Sequence, residues 1–384
     1  MDLALCTFYL LFGFAEGAFR PFLNLYYFQT GLSGTQVGLL SSLMPLTSLL
    51  AQPIWGTIAD RSRERRSVIR LLLVGAIAAL AALSLAQGFW PLAAITIGIA
   101  AFHLSITPIL DSTALDYLGS RSLRGYGRIR AFQSLGFAAS VLLCGLIAQV
   151  LSFPWAFRAG AAFLLTCFLL SVRLPSTAGR PRLKKVWGVP QLLALPAFRL
   201  LLAFAFIASL AFAAGMSFFT IYLSRLGMDS GSIGLAWTVA GLSEVALMAL
   251  SGKLMGRLGT RLCLASGPLT FAVRFSLYSA FPFPAAALGA QLLHGLSFGL
   301  YYTAAVNQVN QTTPAELRST AQTLYWAGAA GAGSILGSAA GGIVFDRFGT
   351  QILYLLCALI CVLSIPLLLL LRREEQRQAI TRPA

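Results

Sequence analysis

Residues 56–87 read GTIADRSRERRSVIRLLLVGAIAALAALSLAQ. A turn crowded with arginines runs into about twenty residues of almost unbroken apolar character, enough to cross the hydrocarbon core of a bilayer as a helix. The same pattern recurs along the chain. Apolar runs fall at roughly 3–29, 37–59, 67–88, 91–117, 127–150, 154–173, 197–224, 231–254, 262–282, 284–310, 318–343 and 351–371. In hydrocarbon they must be helices, because a lone strand would leave its backbone groups unsatisfied. The expected fold class is therefore an all-α membrane protein of twelve transmembrane helices.

Composition agrees. Hydrophobic residues make up 58% of the 384 and charged residues 10%. A soluble chain could not keep so much apolar surface from water, whereas lipid removes the difficulty. The run from Leu3 to Tyr27 follows Asp2, is longer than the apolar segment of a secretory leader and lacks a clear cleavage motif, so it is expected to be the first span.

The formal charge of +16 would suggest a nucleic-acid partner if it formed one patch. It does not. The positives fall in alternate short gaps: Arg61, Arg63, Arg65 and Arg66; Arg121, Arg124 and Arg128; Arg173, Arg180, Arg182, Lys184 and Lys185; Lys253, Arg257 and Arg261; Arg372, Arg373 and Arg377. The intervening gaps are nearly bare, with Arg225 and Arg347 the main exceptions. Positive loops stay in the cytoplasm, which places both termini there and the chain in a bacterial inner membrane. Nucleic acid is not an expected partner. The six cysteines all lie in apolar runs without a CxxC spacing, so neither a disulfide framework nor a metal site is expected, and no cofactor.

The most polar stretch, 175–196, divides the chain into bundles at 1–174 and 197–371, followed by a tail at 372–384. The two parts repeat each other. GLSGTQVG at 31–38 has a counterpart, GMDSGSIG, at 227–234, and Gly56 and Arg61 have Gly252 and Arg257, all at one offset of 196. His103 and His294, and Arg128 and Arg318, pair at 191 and 190. A stable offset marks a duplicated unit. Two parallel six-helix repeats are an arrangement of transporters, with a substrate site expected near the membrane midplane where the repeats meet.

Ionisable side chains inside spans cost a few kcal/mol each at mid-bilayer and should face water or a partner. Glu16, Arg20 and Asn24 recur every four residues and form one stripe on the first span. His103, Thr107 and Asp111 do the same on the fourth, where Asp116 lies near the loop and reads as interfacial. Arg130 shares a face with Ser134 on the fifth span; Glu244 stands alone in the eighth and Arg274 in the ninth. His294, Ser297 and Tyr301 share a face of the tenth, with Asn307 and Asn310 beyond, and Gln322 shares one with Trp326 on the eleventh. Of the aromatics, Tyr301, Tyr325 and Trp326 are expected near the site. A carboxyl group in a low-dielectric cavity can carry a proton at neutral pH, which makes Glu244, Asp111, Glu16 and, as an imidazole, His294 candidates for proton coupling. Arg130 and Arg274 have the geometry to clamp a carboxylate.

The loop GTIADRSRERR resembles the signature loop of the major facilitator superfamily, and GKLMGRLGTR at 252–261 resembles a weaker copy. The resemblance implies two six-helix bundles and a conformational latch at Gly56, Asp60, Arg61 and Arg65. A narrower likeness covers nearly the whole chain. PILDSTALDYL with YGRIRAFQSLGFA (126–138), AVRFS and LLHGLSFGL resemble the lactose permease and phenylpropionate permease branch. It implies that Arg274 and His294 occupy the positions of a coupling arginine and histidine. Where that branch's sugar permease has a glutamate three residues beyond the histidine, this chain has Ser297.

These observations lead to an expectation of a secondary transporter, working as a monomer and taking up a small organic solute with protons. A carboxylate is the first substrate expected, a sugar or nucleoside the second. Efflux of drugs or metabolites on the same fold stays open. A non-transporting receptor is disfavoured by the short tail after Leu371. An enzyme is disfavoured because no HExxH, GxSxG or phosphate-binding glycine loop sits at a plausible membrane boundary.

Overall fold

The computed structural model describes residues 3–118, 122–175 and 188–381. Arg121 and the middle of the expected linker, with Arg180, Arg182, Lys184 and Lys185, lie outside the described residues, as do the side chains of Arg124 and Arg128. Among the described residues there is no strand.

The helices follow the apolar runs. The first span is Leu3–Phe19 and Leu23–Gln29; the second to sixth are Gly34–Arg61, Arg65–Leu83, Phe89–Leu118, Ser122–Val150 and Phe153–Leu170. The seventh is Pro196–Ser217 and Phe219–Arg225, the eighth Ser230–Leu258 and the ninth Thr260–Ala280. The tenth runs from Pro284 to Thr312 with a π turn at Gly295–Leu300, and the eleventh starts at Arg318 with a π turn at Leu324–Ala330. The eleventh span continues through Gly331 until Gly349, at φ 78°, breaks the helix, and the twelfth span follows to Thr381. Among the described residues the apolar runs are thus helical, as the sequence pattern requires.

The duplication is visible in backbone geometry. Gly31 and Gly227 both have positive φ, 91° and 83°, a conformation that only glycine adopts freely. Two residues on, Ser33 and Asp229 cap the following helices. Ser33 accepts from the Gln36 backbone N–H at 3.2 Å while Gln36 Oε1 accepts from the Ser33 N–H at 3.0 Å, a reciprocal capping box. Asp229 Oδ1 accepts from the Ser232 backbone N–H at 2.7 Å.

The Ser232 N–H, and beyond it that of Gly231, hold the Asp229 carboxyl below the usual carboxylate range. Its ionised form therefore stabilises the fold above about pH 4, and that contribution fades as pH falls through the lowered folded value. Asp229→Ala is expected to cost about 1 kcal/mol, the usual value of such a cap. Thermal melts in detergent at pH 7 and pH 3 check it. A deficit equal at both pH values would mean that the carboxylate charge is not what caps the helix.

The described chain divides into two compact units, Met1–Leu183 with Leu223–Gly241, and Lys184–Tyr222 with Leu242–Ala384. The eighth span thus contributes its first half to one unit and its second half, with Glu244, to the other. In the first unit the first and fifth spans cross at glycines. A Cβ on Gly13 would stand 2.1 Å from the Gln133 carbonyl oxygen, and one on Gly136 2.2 Å from that of Leu10. In the second unit the seventh and eleventh spans do the same at Gly333 and Gly337, against the carbonyls of Phe206 and Leu210. Backbone-to-backbone approach is how helices gain packing energy where lipid supplies no hydrophobic drive between them.

Candidate functional site

In the first unit the first span breaks at Pro21, which has no N–H to continue the ladder. Just before the break, Glu16 pairs with Arg20 one turn away. Its other oxygen accepts from Gln133 Nε2 at 2.9 Å. Gln133 Oε1 in turn accepts from Arg130 at 2.6 Å, and Arg130 lies 3.4 Å from Asp111. Asp111 also accepts from the Tyr9 hydroxyl at 2.7 Å. Glu16, Arg20, Asp111 and Arg130, scattered in sequence, therefore form one polar chain through Gln133. Asn24, beyond the break, accepts from Ser41 Oγ at 3.0 Å.

His103 is not part of that chain. It is 2% exposed, its ring lies 4.7 Å from Phe12 and 5.1 Å from Phe19, and neither nitrogen has a hydrogen-bond partner among the described residues.

In the second unit Arg274 is fully buried. Its Nη1 donates to His294 Nδ1 at 3.0 Å and to Ser297 Oγ at 2.8 Å; its Nη2 donates to Gln291 Oε1 at 2.9 Å and to the Tyr278 hydroxyl at 3.2 Å. Gln291 Nε2 also donates to that hydroxyl, at 2.7 Å. His294 Nε2 faces Glu244 at 3.6 Å. The run GLSFG at 295–299 has the spacing of a hydrolase nucleophile turn, but Ser297 lies inside a helix, is fully buried and is held by Arg274, so it is no nucleophile.

The aromatic residues separate. Tyr301 and Tyr325 join hydroxyls at 3.0 Å inside the hydrophobic core of the second unit, 8% and 0% exposed, and so are packing residues rather than part of an open surface. Trp326 is partly exposed and stacks on Tyr302 at 4.7 Å, and its indole N–H donates to Gln322 at 3.2 Å. Tyr302 stacks on Phe298, which stacks on His294. One aromatic row thus leads from the Glu244–His294 pair to Trp326.

At the arginine-rich turn, Arg65 is buried and joins Asp116 at 2.5 Å and Asp60 at 3.4 Å. Arg61 is exposed. Asp116 therefore anchors the loop, as its interfacial position suggests. At Gly56, no heavy atom of the described residues lies within 4 Å of where its Cβ would be.

The sequence pattern missed Tyr9, Gln133, Tyr278 and Gln291. Each is a neutral polar residue on a charged partner, and only Gln133 carried a signal, three residues beyond Arg130 on one helical face. Among the described residues no group of three or more His, Cys, Asp or Glu could hold a metal ion.

The model of the MFS_1 like family matches residues 3–356. The chain is 33% identical over 371 residues to a maltose permease of Geobacillus stearothermophilus, covering 96% of this chain and 94% of that one. It is 25% identical over 364 residues to a probable 3-phenylpropionic acid transporter of Escherichia coli, covering 91% and 92%. In three dimensions it resembles a point mutant of the nucleoside transporter NupG, with a TM-score of 0.87 at 16% identity over 97% of this chain and 99% of that one. The twelve helical segments, the charged clusters held inside them and these likenesses agree: the chain belongs to the MFS_1 like family, and is a multi-pass membrane transporter of the major facilitator superfamily and not an enzyme.

Proposed function

We propose that the chain takes up a neutral, hydroxyl-bearing ring compound, a sugar or a nucleoside, together with protons. It does so across a bacterial inner membrane, as a monomer with both termini in the cytoplasm, by alternating exposure of one site. The observation that carries the substrate reading is the commitment of the arginines inside the spans. Arg20 is met by Glu16, Arg130 by Asp111 and Gln133, and Arg274 by four neutral partners. A carboxylate substrate would have to displace these partners, so the geometry favours the second substrate class expected from sequence over the first. The aromatic row of Phe298, Tyr302 and Trp326 offers instead a face on which a planar base or the C–H face of a sugar can stack. Next to it, Gln322 and Asn310 carry amides suited to hydroxyls or a base edge.

Proton coupling is supported by the carboxylates. Glu244, 28% exposed, has one ion-pair partner among the described residues, His294. Asp111 and Glu16 already have cationic partners and are the weaker carriers. Paired charges of this kind suit selective uptake better than promiscuous efflux. The loop held by Asp60, Arg65 and Asp116, with Arg61 and Gly56 left open, is proposed as the latch of the conformational change.

Proteoliposomes loaded at pH 8 and diluted to pH 6 test this with labelled maltose, uridine and 3-phenylpropionate. Accumulation of maltose or uridine, collapsed by a protonophore, is the expected result. Accumulation of 3-phenylpropionate alone would overturn the neutral-ring reading, and uptake indifferent to the gradient would overturn coupling.

A further inference from the structure

We propose that Glu375, in the segment beyond the twelfth apolar run, is the acid of a second conformational latch and a positioning residue of transport. It stands in for two acids that the second copy of the arginine-rich loop lacks. This rests on the latch reading of the first loop given above and extends it to the second unit.

The repeat defines what is missing. At the offset of 196, Arg65 falls on Arg261 and Asp60 falls on Gly256. Asp116 lies between the pairs at offsets of 191 and 190, which carry it to Asn307 or Val306, and no acid occurs from His294 to Thr312. In the first unit the arginine is met by both acids. In the second unit the arginine is kept and neither acid is.

The need for an acid remains. Arg261 lies in the first turn of the ninth span, where the partial positive charge of the helix N-terminus adds to its own. The residue before that helix is Gly259, which has no side chain to cap it. Glu375 answers this need. Its Oε2 pairs with Arg261 Nη2, while its Oε1 accepts from Gln308 Nε2 at 2.7 Å and lies 3.3 Å from Thr312 Oγ1. Gln308 is 1% exposed and adjoins Asn307, one of the two positions where the repeat would put the missing acid.

A lone charge pair on a wet surface contributes little. This one is anchored. Leu368 and Leu371 belong to the hydrophobic core of the second unit, and Glu375 follows Leu371 by one turn of the same unbroken helix, on the same face. Its carboxylate is 18% exposed although it lies beyond the apolar run. The pairing therefore ties the start of the ninth span and the end of the tenth to the extension of the twelfth, so that these three cytoplasmic ends move as one.

Exchange of labelled maltose and uridine across proteoliposomes, without a pH gradient, reads the conformational step. Glu375→Gln is expected to slow it about fivefold, on the scale of a partly buried charge pair with a further hydrogen bond. Glu374→Gln removes the same charge one residue away and is expected to leave the rate unchanged. Gly256→Asp puts an acid back at the repeat position of Asp60, where no heavy atom of the described residues lies within 4 Å of a Cβ. Added to Glu375→Gln, it is expected to restore exchange to within about twofold of wild type, because it returns a charge-assisted partner to Arg261, and Gly256→Asn is not. Full rate in Glu375→Gln, or a slow rate that Gly256→Asp fails to lift, would overturn the inference. Asp116→Asn tells the two readings apart: if it leaves exchange at full rate the first latch fails, and if it slows exchange while Glu375→Gln does not, only the second does. Spin labels at the exposed positions Lys253 and Arg373 give a reading that needs no solute, since the six native cysteines are buried. In nanodiscs one narrow distance is expected, broadened by Glu375→Gln; a distribution indifferent to that change would show that Glu375 does not hold the segment.

Discussion

Arg274→Ala is expected to destabilise the protein more than any other single charge removal within the spans. The guanidinium is fully buried and donates to four side chains. Alanine would leave Gln291 Oε1 and His294 Nδ1 facing a void, each unsatisfied group costing about 1–3 kcal/mol before relaxation, while the Tyr278 hydroxyl keeps its bond from Gln291 and Ser297 Oγ its bonds to backbone carbonyls. Together with the cavity left by a fully buried side chain, a loss of about 3–5 kcal/mol is the size expected here. Arg20→Ala gives the contrast. Arg20 is 55% exposed and its side-chain partner is Glu16, so its loss should cost under about 1 kcal/mol. Arg274→Lys keeps the charge but not the fork that reaches two sides at once, and should fall between. Apparent unfolding temperatures in detergent rank the three. An Arg274→Ala variant melting with Arg20→Ala would show that the network does not depend on the guanidinium.

Gly337→Leu is expected to abolish folding, and Gly337→Ala to weaken it by several kcal/mol, because the obstacle is backbone. A Cβ there would stand 2.2 Å from the Leu210 carbonyl oxygen and 2.9 Å from its carbonyl carbon. No rotamer change relieves that contact; the seventh and eleventh spans must separate by about an ångström, undoing close packing along their crossing. Gly136→Leu should behave alike in the first unit, against Leu10. Gly252→Ala and Gly56→Ala are the controls, since no heavy atom of the described residues lies within 4 Å of either Cβ position. Monodispersity by size-exclusion chromatography separates the outcomes, and equal recovery of Gly337→Leu and Gly252→Ala would refute the packing argument.

The positions of the spans were legible in the sequence, because hydropathy is a one-dimensional quantity and lipid makes it decisive. So was the repeat, since Gly31 and Gly227 must be glycine to hold positive φ, and Ser33 and Asp229 both cap the next helix. The charged residues inside spans were legible too, for they are rare there. Which of them meet was not. Among the described residues Glu16 reaches Arg130 through Gln133, and Glu244 is linked to Arg274 through His294. Gln291 and Tyr278 are polar residues common enough in any helix that spacing does not single them out, and Gln133 had only its place three residues beyond Arg130. Nor could the sequence tell that Tyr301 and Tyr325 turn into the core while Trp326 stays partly open. The sequence by itself determined where the chain crosses the membrane and that it does so in two copies of one plan, because burial in lipid is read residue by residue. Only the tertiary structure decided which arginine is spent on which partner, because that depends on distances of a few ångströms between helices far apart along the chain.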